Sequence, residues 1–440
     1  MSRPARIAIV GSGPSGFYAA EALLRSGRDC RVDIFERLPM PYGLVRFGVA
    51  PDHQKLKSVT AVFERIAAMP GCRWWGGVHV GRDITVGELQ ARYHALIVAA
   101  GAASARRLEV PGETLDGVCT SSDFVAWTNG HPDRAGAAPQ LSLHADTAVV
   151  LGHGNVAIDA TRLLSKTAHA LATSDVPTRV LETFATSRVR TVHLVGRGAP
   201  GRAKFTPKEL RELGELPQVR VSLAQGAQRV LHALRSDPGD PDLLPVWQSL
   251  ARHECADATR EIRIWFGLAV ERFIGEHRLE GVRLRVSEGS FATADDAREL
   301  RAGHAVSCIG YRGESLTGVP LDTRRGVVPH VLGRVHDGNG RAMPGLFVTG
   351  WIKRGPTGVI GTNRADSLET VGAILEDWPE LLGHDKRDAD DVPALLDARG
   401  ARVFSLSDWQ RLDAFEKSRA REGAPREKVL SREEALAVLG

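Results

Sequence analysis

The sequence predicts an α/β protein of two parallel-sheet domains, the second inserted into the first. Three observations carry this. The apolar run Ile7–Val10 leads into the loop Gly11-Ser-Gly-Pro-Ser-Gly16 and a helix-like stretch from Phe17 to Leu24. The same order recurs as Ala148–Leu151, then Gly152-His-Gly-Asn-Val-Ala157, then Ile158–Leu164. Near the end, Phe347-Val-Thr-Gly350 reads as one more buried strand, with a helix from Arg364 to Leu375. That late pair needs a sheet to join, and the first β-α-β unit needs strands to complete its own. Residues 1–104 and 325–440 are therefore expected to form one domain, with 105–324 inserted as the other.

A glycine loop between a buried strand and a helix lets the backbone approach a pyrophosphate, which sits at the positive helix N-terminus. Both units thus read as Rossmann-like dinucleotide sites, and they end differently. The strand Val32-Asp-Ile-Phe-Glu36 closes on an acid, suited to ribose hydroxyls. The strand Thr191-Val-His-Leu-Val-Gly-Arg197 closes on an arginine, suited to a 2′-phosphate. The second copy is the weaker signal alone, with Ala157 for its third glycine and a longer gap before its second strand.

Between these units the chain reads as follows. A loop spans Arg37–Lys57, and a helix lies near Val59–Ala68. Ala95–Gly101 reads as a buried parallel strand returning to the nucleotide. Gly112–Gln140 is loop-rich, with a short helix around Ser122–Trp127, and Thr167–Arg188 is a long polar insert. Alternation at Ile262, Ile264 and Phe266, then at Val282, Leu284 and Val286, predicts a hairpin turning at Gly275–Arg278. Ala305–Ile309 is a further buried strand. In the charged tail, Trp409, Leu412 and Phe415 have helical spacing, expected to pack on the body.

Composition excludes other classes. Hydrophobic content of 43% and net charge +4 are ordinary for a globular protein, and no basic–aromatic stripe suggests nucleic acid. The five cysteines, Cys30, Cys72, Cys119, Cys255 and Cys308, form no C-x-x-C, so no dithiol, zinc or iron–sulfur motif is expected and no metal site is predicted. They read as reduced thiols of a cytoplasmic protein. The N-terminus enters a core strand at once, leaving no room for a signal peptide, and no apolar run is long enough for a membrane span.

Longer motifs narrow the reading. Gly43-Leu-Val-Arg-Phe-Gly-Val-Ala-Pro-Asp-His53, Val110-Pro-Gly-Glu113, Gly154-Asn-Val-Ala-Ile-Asp159, Phe205-Thr-Pro-Lys-Glu-Leu-Arg-Glu-Leu213 and Gly350-Trp-Ile-Lys-Arg-Gly-Pro-Thr-Gly-Val-Ile-Gly-Thr-Asn363 occur in that order. Together they resemble the adrenodoxin-reductase-like ferredoxin–NADP reductases, including bacterial members, over nearly the whole chain. The resemblance implies a glutathione-reductase-like architecture, FAD in the first domain and NADPH in the second. It implies hydride transfer from NADPH to FAD, then single-electron transfer to an iron–sulfur ferredoxin, by a monomer.

It also implies residue roles. Gly11, Gly13, Pro14, Ser15 and Gly16 would cradle the FAD pyrophosphate, and Glu36 would accept from its ribose. Leu44, Val80 and Arg106 match further FAD contacts. Trp351, Gly358, Val359 and Ile360 match the loop beside the isoalloxazine, with Gly358 leaving room for the nicotinamide, and the helix at Arg364 would point its N-terminus at the flavin. His53 and Glu212 match two polar residues at the nicotinamide–flavin region. His153, Gly154, Asn155 and Val156 match the NADP pyrophosphate loop, and Glu209 a coenzyme-contacting acid.

Two departures matter. The family commonly has Asn where this chain has His153, and two adjacent arginines where it has Arg197-Gly198. One 2′-phosphate clamp is missing, so NADPH is expected with some tolerance of NADH, and Arg202 or Lys204 is a candidate substitute. Competing readings fare worse. A quinone-reducing NAD(P)H flavoenzyme is separated only by a ferredoxin assay. A glutamate-synthase small subunit would carry N-terminal cysteine clusters, and a flavin monooxygenase its F-x-G-x-x-x-H signature. A non-enzymatic redox sensor would not need His53 and the Trp351 loop.

Overall fold

The computed structural model describes residues 4–134, 142–237, 239–252, 255–288 and 291–440. The chain forms two compact units. The first holds Met1–Ser104, Tyr311–Ala420 and Pro425–Gly440; the second holds Ala105–Gly310 with Arg421–Ala424. The return therefore comes at Tyr311 rather than 325. The tail is also not wholly in the first unit. Arg421 belongs to the second because its guanidinium donates to the carbonyls of Ser174 and Val176 and to Thr178 Oγ1.

The first unit centres on a seven-stranded sheet. Its parallel part runs Ala342–Val348, Ala95–Val98, Ala5–Val10, Cys30–Phe35, Cys72–Trp75, with two short antiparallel strands, His330–Val331 and Arg334–His336, at the edge. Ala5–Val10 is central and apolar on both faces, so it is buried throughout except at Arg6. The chain leaves it for Cys30–Phe35 on one side and pairs with Ala95–Val98 on the other. The crevice where a strand order reverses is where open α/β sheets bind ligands. Helices Pro14–Leu24 and Thr362–Glu376 pack together beside this crevice.

The second unit repeats the plan. Its six-stranded parallel sheet runs Val118–Thr120, His304–Ser307, Thr147–Leu151, Thr191–Val195, Arg260–Trp265, Val219–Leu223. A three-stranded antiparallel sheet, Leu268–Ile274, Gly281–Val286 and Arg298–Arg301, lies beyond it. The hairpin is thus real, but its first arm starts at Leu268. Arg260–Trp265 is a core strand instead, paired on both sides. Gly267 separates the two at φ +68, a turn that alternation alone did not reveal. The insert Thr167–Arg188 is not a polar excursion either. It carries helices Ala168–Leu171 and Thr178–Ala185, and Phe184 stacks on Trp127 at 5.8 Å between centroids. The loop-rich stretch Gly112–Gln140 carries its expected short helix as Ser121–Thr128; its residues 135–140 lie outside the described residues.

The tail helix Leu406–Ser418 packs as expected, with Trp409 and Leu412 buried. Its role is local and specific. Trp409 Nε1 donates to Tyr42 Oη at 3.1 Å, and the Arg46 guanidinium sits 4.9 Å over the indole while pairing with Glu416. Tyr42 holds φ +85, unusual for a side-chain-bearing residue, so this tether maintains the loop between the first glycine motif and His53. Trp409→Ala is expected to destabilise the first unit by about 3–5 kcal/mol, as large aromatic deletions do. Thermal unfolding read at the first unit's tryptophans checks it; an unchanged midpoint removes the tether.

Candidate functional site

The two glycine loops are built alike. Gly11 N donates to Phe35 O at 2.8 Å and Gly152 N to Val195 O at 2.7 Å, so each loop hangs from the neighbouring strand. Gly11 has φ +108, and a Cβ there would lie 2.5 Å from Ala99 O; Gly152 has φ +123, and a Cβ would lie 2.2 Å from Cys308 O. Both carbonyls end the returning strand and are themselves fixed, since Ala99 N donates to Val10 O and Cys308 N to Leu151 O. The second glycines differ. A Cβ at Gly13 or Gly154 would meet nothing within 4 Å, so the backbone there faces open space. Each is the N-cap of its helix, and neither helix has a side chain capping its first N–H groups. Uncapped donors beside an open backbone are the donor set a pyrophosphate requires. At the third position Gly16 is jammed against Gly11 O, whereas the second loop accommodates the buried methyl of Ala157. Pro14 takes the first helical position, where its missing N–H costs nothing.

Glu36 follows its strand as expected. Its Oε2 accepts from Ser12 N at 3.1 Å and Ser12 Oγ at 2.7 Å, and its Oε1 from Leu38 N at 3.0 Å. A carboxylate has about four acceptor sites, so capacity remains for hydroxyls. Ser15 Oγ donates to Asn363 Oδ1 at 2.9 Å, and Ser367 Oγ donates to Ser15 O at 3.0 Å. These bonds tie the first-loop helix to the start of helix Thr362–Glu376, whose N-cap Gly361 offers no side chain. Arg354 donates to Asn363 Oδ1 at 3.0 Å and pairs with Asp366, which also accepts from the Thr349 hydroxyl and Gly350 N. Sequence reasoning missed this network, because its members look like ordinary polar residues of a helix and a loop.

The Trp351 loop lies in the same unit. Trp351 Nε1 donates to Thr357 O at 3.1 Å, which folds the loop back on itself. Val359 is 62% exposed, while Ile360 packs against the core. Gly358 carries φ +81, and a Cβ would come within 2.9 Å of Thr362. Its glycine is thus required by the loop's own turn, so a Gly358→Val change reports on loop strain before it reports on any ligand. Leu44 is half-buried at the start of the short helix Leu44–Phe47, and His53 is the half-buried N-cap residue of Gln54–Lys57. Val80 is buried in the apolar cluster with Ile84 and Val86, leaving its backbone as the available contact. Arg106 is exposed in the second unit, its N–H on Gly310 O.

The remaining expected residues also lie in the second unit. The His153 ring turns inward, packed on Phe266 at 4.9 Å between centroids and against Gly196. Burial lowers its pKa to about 4, so it is neutral at physiological pH. Its side chain is thus directed into the core, and its carbonyl accepts from Lys204 N at 2.6 Å. Val156 packs against the core. Asn155 Oδ1 accepts from Thr206 N at 3.0 Å, so its amide braces the loop to helix Pro207–Gly214. Glu209 closes the capping box of that helix with Thr206, and burial raises its pKa, with Asp159 and Glu212 adding repulsion. Glu212 is half-buried and paired with Arg162. Arg197 and Lys204 are exposed, with no ion pair to another described residue, whereas Arg202 is engaged by Asp237 at 3.0 Å. No group of three or more His, Cys, Asp or Glu is placed to hold a metal among the described residues. No described helix is long and apolar enough to cross a membrane.

Two strand–glycine-loop–helix crevices, each open at its phosphate face, define a two-dinucleotide α/β oxidoreductase. The comparisons with known proteins agree. The family described as pyridine nucleotide-disulphide oxidoreductase matches residues 5–199. The mitochondrial NADPH:adrenodoxin oxidoreductase of Homo sapiens is 41% identical, over 99% of this chain and 92% of that protein. The NADPH-ferredoxin reductase FprA of Mycobacterium tuberculosis is 38% identical, over 99% of both. The solved structure of that FprA in complex with NADPH superposes with a TM-score of 0.91 over all of both chains. The chain belongs to the family of NADPH:adrenodoxin oxidoreductases and NADPH–ferredoxin reductases.

Proposed function

We propose that this protein is an FAD-dependent ferredoxin–NADP reductase that takes hydride from NADPH and delivers single electrons to an iron–sulfur ferredoxin. The observation that carries this is the pair of open glycine loops, one leading to Glu36 and the other to Arg197, in a full-length member of that family. FAD supplies the chemistry of accepting two electrons and releasing them singly; the protein supplies binding, orientation and electrostatics. Gly11, Gly13, Pro14, Ser15 and Gly16 hold its pyrophosphate and Glu36 its ribose, with Leu44 and the Val80 backbone as further contacts. Trp351, Gly358, Val359 and Ile360 border the flavin. The first N–H groups of Thr362–Glu376 donate to the carbonyls of Val359, Ile360 and Gly361, so any preference of this helix end for negative charge would come from the helix dipole alone.

NADPH is held by the His153–Gly154 backbone, the Asn155–Val156 helix start and Arg197, with Gly198 leaving the second clamp out. Glu209, which closes the capping box of its helix with Thr206, is the acid for the coenzyme on that helix. Glu212 orients the carboxamide end of the coenzyme. We place the protein in the cytoplasm as a monomer, reading its free cysteines as reduced thiols. Anaerobic bleaching of its flavin absorbance by matched NADPH and NADH tests the reading. Fast bleaching by NADPH, followed by recovery of colour on adding oxidised ferredoxin, is expected. Bleaching without recovery would move the acceptor to quinones or another small molecule; no bleaching by either coenzyme overturns the assignment.

A further inference from the structure

Helices Asn155–Leu164 and Pro207–Gly214 are joined at two points. At their starts, Asn155 Oδ1 accepts from Thr206 N at 3.0 Å. Further along, Arg162 links the two. Its side chain is 3% exposed; Nη2 donates to Asp159 Oδ1 at 2.7 Å, and Nε lies 3.6 Å from Glu212 Oε2. The first joint lies at the open phosphate loop itself. The second therefore fixes Glu212 relative to whatever that loop holds. The Glu212 side chain keeps 23% of its surface exposed, so it remains reachable.

A staple between two helices does not call for a buried arginine. Apolar residues of similar volume join helices without the desolvation cost of a charge, and often with greater stability. What an arginine adds is a rigid fork that holds two carboxylates at set positions. It also answers a local excess of negative charge. Asp159, Glu209 and Glu212 lie close enough for the first and last to raise the pKa of Glu209 further, beyond the effect of burial. Without Arg162, Glu212 would lose its fixed cationic partner.

We infer that Arg162 is the positioning residue for Glu212, holding its carboxylate in place for the nicotinamide end of the coenzyme. This rests on the reading of Glu212 given above. The test uses the flavin-loaded protein with Arg162→Met, Arg162→Lys, Glu212→Gln and the Met–Gln double variant. Calorimetry measures binding of NADP+ and of 2′,5′-ADP, which shares the phosphate end but lacks nicotinamide. Anaerobic mixing measures flavin reduction at saturating NADPH.

Arg162→Met is expected to bind 2′,5′-ADP as the parent does, yet to lose about tenfold in NADP+ affinity and in flavin reduction, the scale of one charge-assisted contact. Lysine keeps the charge without the fork, so Arg162→Lys should lie between. The double variant should lose no more than Glu212→Gln alone, because both changes disable one device. Equal loss of 2′,5′-ADP and NADP+ affinity makes Arg162 a plain staple and overturns the inference, as do multiplying losses in the double variant. Should Arg162→Met not fold, a selective NADP+ deficit in Arg162→Lys decides, and its absence counts against. If Glu212→Gln is impaired while the Arg162 variants are normal, only this inference falls. A normal Glu212→Gln sinks the reading of Glu212 as well.

Discussion

Gly152→Ala is expected to yield a yellow protein that NADPH no longer bleaches, and Gly11→Ala a protein isolated largely without flavin. The geometry of the loops sets this double dissociation. At each position an added methyl would lie 2.2–2.5 Å from a carbonyl oxygen, far inside contact distance. Neither carbonyl can retreat, because Ala99 and Cys308 are themselves bonded into the neighbouring strand. Each glycine also has positive φ, which for an L-residue costs about 1–2 kcal/mol on its own. The loop must therefore move, and it carries the backbone donors with it. Displacing a binding group by about 1 Å can cost on the order of a hundredfold. The buried Ala157 gives the control: Ala157→Gly removes a methyl the second loop already accommodates, and NADPH bleaching should survive it. Flavin content after gel filtration and anaerobic bleaching are the two readouts. Loss of flavin from both glycine variants would mean that the loops do not serve separate dinucleotides.

Those loops were legible because their signals are local. A strand, a turn demanding positive φ and a helix start follow one another within a dozen or so residues, and the register of apolar side chains marks each. The same locality misled elsewhere. Ile262, Ile264 and Phe266 alternate as a hairpin arm would, but Arg260–Trp265 lies between two parallel strands, and only the turn at Gly267 shows where the hairpin begins. The insert at Thr167–Arg188 looked polar because Val180, Leu181 and Phe184 form one narrow stripe among hydrophilic neighbours. His153 was placed in the phosphate loop by its position, and it is there. Its ring turns inward because a bare Gly196 and the aromatic wall of Phe205 and Phe266 leave it a slot. Arg162 was invisible for a different reason. On a helix, an arginine three residues after an aspartate reads as a solvated pair, and its other partner, Glu212, is brought to it only by folding.

The other large effect concerns coenzyme choice, which the proposed reading assigns to a single arginine. Arg197 is exposed at the end of its strand, and the neighbouring Arg202 is occupied by Asp237. Lys204 has its backbone pinned to His153 O and its side chain exposed, so it is a local cation able to assist. Arg197→Ala should therefore raise the KM for NADPH by about ten- to a hundredfold, the range of one charge-assisted contact, while NADH use stays nearly unchanged. Because the site is exposed, salt screens it, and the lower end of that range applies at physiological ionic strength. The converse change is open to construction. Gly198 does not need positive φ, and a Cβ there meets nothing closer than Arg202 Cβ at 3.4 Å. Gly198→Arg should therefore fold without strain, restore the second clamp and tighten NADPH selectively. Steady-state KM values for both coenzymes, across a salt series, separate the possibilities. Equal losses for NADPH and NADH in Arg197→Ala would mean that the arginine holds the shared pyrophosphate rather than the 2′-phosphate. A neutral Gly198→Arg would mean that Lys204 already fills the second position, and Lys204→Ala should then cost NADPH what Gly198→Arg failed to add.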